Sequence, residues 1–154
     1  ELQPLLDRAI KALKPAVLFE TFAHPDPDQQ LLSPMPGLAY SLVLSSLGKG
    51  LGELREVMRR DNPAQLPLWD IAEEAALDEC VRFAASLLED EALRESCELS
   101  PMTTLTDPAG LEAAVRKLEG AKIGVGLDSG KLSPPASAAC SLSWIAKSKS
   151  KGKK

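Results

Sequence analysis

From residue 68 to residue 93 the chain carries a helical stripe that limits its fold more than any other stretch. Leu68, Ile71, Ala72, Ala75, Ala76, Cys80, Phe83, Ala84, Leu87 and Leu88 recur at the spacing of one helix face. Glu73, Glu74, Asp78, Glu79, Arg82, Glu89 and Asp90 fall mostly off that face. A helix of this length needs other elements to cover its stripe, because packing rather than propensity supplies most helical stability. Leu and Ala dominate the remaining patterned segments and are strong helix formers, whereas aromatic residues number three Phe, two Trp and one Tyr. The expected fold class is all-α: a small bundle-like domain of roughly four to six helices with an irregular C-terminal arm.

Three further segments fit that expectation. Leu2, Leu5, Leu6, Ala9, Ile10 and Leu13 form an amphipathic pattern ending near Lys14-Pro15. From Leu38 onward, Leu44, Leu47, Leu51, Leu54 and Met58 share a face, with a break at Gly48–Gly50 and Arg55, Arg59 and Arg60 complementing the C-terminal dipole. In "TDPAGLEAAVRKLEG", Thr106 or Asp107 caps, Pro108 sits in the first turn and Gly120 terminates. The helical domain is thus expected over residues 1–120, with an irregular arm over 121–146 that has room for a short hairpin at Asp128-Ser129-Gly130. A basic tail occupies residues 147–154.

Several chemistries fail on spacing. The stretch "GAKIGVGLDSGKLSPP" has the glycines and lysine of a phosphate loop, but Val125 stands where the first glycine belongs. Leu132 replaces the hydroxyl residue, and Pro134-Pro135 bars the following helix. His24 is the only histidine and the three cysteines are scattered, so no zinc set can be assembled. Asp26 and Asp28 in "HPDPD" offer too few oxygens for a calcium loop. No serine lies in a nucleophile-elbow context, and the acids of the long helix are expected on its wet face. Neither catalysis nor a bound cofactor or metal is expected. An odd cysteine count without a C-x-x-C pair favours a reducing intracellular compartment, and the longest run lacking charge and proline, "GLAYSLVLSSLG", is too short to span a membrane.

Charge is unevenly distributed. Residues 147–154 hold five lysines and no acid, while residues 1–146 carry 13 basic and 22 acidic side chains, and residues 70–98 alone have a balance of −8. Such a surface attracts basic partners, whereas the tail suits phosphates. The expected function is a non-catalytic helical interaction module, an accessory subunit of a larger protein assembly. Docking is expected through the Pro-rich loop 23–37 and the arm, with Leu31, Leu32, Met35, Trp144 and Ile145 as contact residues. Their other role would be to cover the domain's own core. The alternative is nonspecific nucleic-acid binding by Lys147, Lys149, Lys151, Lys153 and Lys154. An anionic membrane surface is a third partner for the same lysines.

Overall fold

The computed structural model describes residues 3–147 of the 154. In chain order it runs α1 (Gln3–Ala12), β1 (Ala16–Ala23), α2 (Gln29–Leu32), β2 (Ala39–Ser46), α3 (Gly50–Asp61), α4 (Leu66–Arg94), β3 (Cys97–Leu99), β4 (Thr103–Thr104), α5 (Pro108–Leu118), β5 (Gly126–Asp128), β6 (Lys131–Ser133) and β7 (Ser137–Ala146). Short 3-10 turns precede α4 and follow α5. The fold is therefore not all-α: an antiparallel sheet of five strands runs β1-β2-β7-β3, with β4 also on β7, and β5–β6 form a separate hairpin.

The sheet's centre explains the architecture. β2 pairs with β7 from Ala39↔Trp144 to Ser46↔Ser137, although residues 47–136 lie between them in the chain. Every residue of β2 is buried. Its side chains alternate between two cores, as strand geometry requires. Tyr40, Leu42 and Leu44 pack with Leu111, Ala114 and Leu118 of α5. Ala39 and Val43 pack with Ala84, Leu88 and Ala92 of α4, together with Cys140, Leu142 and Trp144. The sheet is thus sandwiched between α4 and α5, and Leu47, Leu51, Leu54, Met58 and Trp69 close a third cluster at one end.

The all-α expectation failed where strands are covered on both faces, since the alternation that marks a half-exposed strand then disappears. β2 reads AYSLVLSS and β7 reads SAACSLSWIA, so serine and alanine hide their strand character. Ser41 finds partners on the neighbouring strands: its Oγ accepts from Trp144 Nε1 at 2.8 Å and meets Thr21 Oγ1 at 2.6 Å. Residues 121–146, expected as an irregular arm with room for a short hairpin at Asp128-Ser129-Gly130, supply that hairpin as β5–β6 and, against the expectation, the central strand β7. Gly37 shows how tightly the chain closes there, because a Cβ at that position would collide with the Trp144 carbonyl oxygen.

The helices arise from the expected signals. Asp107 caps α5, its carboxylate accepting from the Gly110 N–H at 3.0 Å, and Glu119 ends the helix in the left-handed region at φ 55°. α4 stops at Arg94, with Ser96 turning the chain at φ 58°. A chain ending at residue 120 lacks β7 and leaves β2 and both helix faces uncovered. It is expected to lose the cooperative thermal transition of the full chain, measured by far-ultraviolet circular dichroism. A cooperative transition in the shortened chain would show that the helices form a domain without the sheet.

Candidate functional site

The Pro-rich loop is fastened to α5 by a buried charge cluster. Lys117 Nζ lies 3.2 and 3.0 Å from the two Asp26 carboxylate oxygens and 3.2 Å from Asp28 Oδ2. The side chains of Lys117 and Asp26 are only 11% and 12% exposed. The Lys117 ammonium also sits 4.5 Å from the centre of the Phe22 ring, a cation–π contact that shields it further. Tyr40 donates its hydroxyl to Asp26 Oδ1 at 2.7 Å, the Asp28 N–H donates to the same oxygen at 2.9 Å, and Arg116 approaches Asp28 at 3.5 Å. Burial pushes the Asp26 carboxyl up, but the Tyr40 hydroxyl, the Asp28 N–H and Lys117 outweigh it and hold it below its ordinary value. The Tyr40 hydroxyl is held well above its ordinary range, by burial first and by its bond to Asp26 second.

The carboxylates of this cluster are occupied by cations and hydrogen-bond donors. Among the described residues, no group of three or more His, Cys, Asp or Glu is placed to hold a metal. His24 stacks beside Tyr40 with ring centres 5.8 Å apart, and its Nδ1 is buried without a hydrogen-bond partner. The glycine-rich stretch has a turn at Ser129 and Gly130 followed by strand β6, so Lys131 opens no helix.

The expected contact residues divide. Leu32 belongs to the core on the α5 side and Trp144 to the core on the α4 side, so both are buried. Ile145 is half-buried on β7 opposite Glu98. Leu31 and Met35 are exposed on the loop, where the Met35 N–H and C=O both bond Ser143 Oγ at 3.1 and 2.7 Å. Lys147 is exposed at the end of β7, while Lys149, Lys151, Lys153 and Lys154 lie outside the described residues.

Two features escaped the sequence. The first is a groove of about 510 Å³ between β4, the start of α5, the β5–β6 hairpin and the start of β7, where Thr104, Thr106, Asp128, Lys131, Ser133 and Ser137 surround apolar Leu105 and Leu132. Its walls come from segments far apart in the chain, which no local pattern links. The second is the outer side of α4, where Ile71 and Phe83 are 64% and 60% exposed and Leu68 and Leu93 are exposed as well. Beside it, Glu73 lines an apolar cleft with Ile10, Leu13 and Trp69, and burial raises its carboxyl above its ordinary value. No described helix is long and apolar enough to cross a membrane. No protein-family model matches the chain, and none of the curated proteins matches it.

Replacing Lys117 with Met is expected to destabilise the chain by about 2–3 kcal/mol, because the Asp26 charge is then left half-solvated. Urea unfolding at neutral pH measures it. In the native chain the depressed Asp26 value contributes stability above its unfolded-state value of about 3.8, and that contribution is lost as pH falls through the lower folded-state value. In Lys117→Met the acid-side loss is expected to begin at higher pH. An unchanged acid limb would show that Lys117 does not hold the Asp26 charge.

Proposed function

We propose that this chain is a non-catalytic interaction domain, an accessory subunit that docks onto other protein subunits. The outer side of α4 carries the reading. A helix facing solvent on one side normally confines its apolar residues to the other. α4 buries Trp69, Ala84, Leu88 and Ala92 against the rest of the molecule and still exposes Leu68, Ile71, Phe83 and Leu93. Leu68, Ile71 and Ala75 follow one another at helical three- and four-residue spacing, so they share an outward face, and all three are exposed. The acids between them favour a partner with a basic rim. Leu31 and Met35 extend the exposed apolar set onto the Pro-rich loop.

Crosslinking and capture from the native source test this with the full chain and an Ile71→Glu/Phe83→Glu variant. A defined complex is expected with the native sequence, with recovery falling about tenfold in the variant and its melting temperature unchanged. A native chain that crosslinks to nothing and sediments as a solitary monomer would refute the reading.

A second reading rests on the 510 Å³ groove, whose hydroxyls and opposed Asp128 and Lys131 side chains over an apolar floor suit a small polar metabolite. Thermal-shift screening of small polar metabolites is expected to yield a binder whose affinity falls about tenfold in Lys131→Ala. Binders unaffected by Lys131→Ala and by Thr104→Ala would place the ligand elsewhere.

A further inference from the structure

The outer edge of β1 is a long strand edge that no described strand pairs with. The His24 N–H donates to the Leu38 carbonyl at 3.1 Å, and the Leu47 N–H donates to the Ala136 carbonyl at 2.9 Å. Those two bonds fix the alternation: even-numbered residues of β1 bond to β2, and Val17, Phe19, Thr21 and Ala23 turn their N–H and C=O groups outward. Backbone groups presented in this way select an extended segment as their partner.

Side chains beside the edge select its chemistry. A hollow of about 400 Å³ lies against Val17, walled by Phe83 and Cys80 and rimmed by Glu79. A second, of about 360 Å³, lies against Thr21, floored by Ala39 and Trp144 and rimmed by Glu91 and Glu95. Val17 and Thr21 are four residues apart on one strand face, about 13 Å. Each hollow joins an apolar floor to a carboxylate rim, which matches a lysine whose stem lies on apolar surface while its ammonium meets an acid. An added strand with lysine at every second position would fill both hollows with residues i and i+4.

The chain contains such a segment: Lys147, Lys149, Lys151 and Lys153 alternate with serine or glycine. A copy's own tail starts on the side of the sheet opposite its own β1 edge: it leaves β7 beside β3, where the Lys147 N–H donates to the Ser96 carbonyl at 3.3 Å. The far side of β1 lies about 14 Å of strand spacings from that point. We infer that the β1 edge accepts residues 147–154 of a second copy as an added strand. The inference rests on the interaction-domain reading and narrows its partner, at this edge, to the chain itself. A body balance of −9 against five tail lysines draws the two copies together, and reciprocal exchange of tails closes a dimer.

Sedimentation of the full chain is expected to show a concentration-dependent dimer at low salt that dissociates at high salt, whereas a chain ending at Ala146 stays monomeric. A synthetic peptide of residues 147–154 added to that shortened chain is expected to slow amide exchange at Val17, Phe19, Thr21 and Ala23 about tenfold. The same peptide N-methylated at alternate residues should give no protection. Glu79→Lys/Glu95→Lys, at exposed positions, should weaken peptide binding about tenfold with an unchanged melting temperature. Equal binding by the N-methylated peptide, or dimers that persist without the tail, would overturn strand addition while leaving partner capture through α4 untouched. A full chain that stays monomeric at low salt yet binds a DNA duplex in a salt-dependent way would also overturn it, assigning the tail to nucleic acid.

Discussion

The pairing of β2 with β7 holds the molecule together. β2 is buried throughout and β7 over residues 139–144, they lie side by side in the sheet, and seven of the ten other described helices and strands lie in the chain between them. Their two faces provide the surfaces on which α4 and α5 are packed. Forming the pair requires closing a loop of residues 47–136, an entropic cost that grows only slowly with length but comes before any cross-strand contact is gained. The helices between the two strands can form early from local signals. They acquire a common core only when β7 is inserted beside β2.

The helices were legible because their signals are local. The 68–93 stripe, the Asp107 cap with Pro108 behind it, and the break at Gly48–Gly50 each depend on residues within a turn or two of one another, and α4, α5 and α3 stand where those signals lie. The strands were not, because strand identity here is a tertiary fact. Leu42, Val43 and Leu44 lie in the run from Leu38 that reads as helical, and they form β2 instead, because α4 and α5 cover opposite sides of it. Ser41 and Ser143 reinforce the confusion, since neighbouring strands and the Pro-rich loop supply the hydrogen bonds that make their burial tolerable. Trp144 looked like an anchor for a partner because its partners, Ser41 and the α4 face, lie far back in the sequence.

The same distance hid the loop clamp. In the sequence Asp26 and Asp28 offer too few oxygens for a calcium loop, and no local pattern singles out Lys117, which lies in the last turn of α5 beside Arg116. Together they form a low-exposure ion cluster completed by Tyr40 and Phe22. Its worth lies less in net energy than in position: ion pairs removed from water gain little over apolar packing, but their geometry fixes register. Here it fixes the path of the loop, so that Leu32 points into the core and Leu31 and Met35 are left outside. The sequence alone has no means to divide the loop's residues between inside and outside.

The acids around β1 and α4 serve two ends that reinforce one another. An eight-residue strand with an open edge invites pairing with another open edge, and natural sheets suppress this with charge. Glu20 on the strand and Glu79, Glu91 and Glu95 beside it set like charges against one another whenever two such edges approach. The same carboxylates lower the cost of desolvating a lysine that arrives with its stem on Phe83 or Trp144. An edge guarded by one sign of charge is therefore selective: it rejects copies of itself and admits strands of the opposite sign. The uneven charge along this chain, an acidic body with lysines gathered at one end, is what such a filter requires.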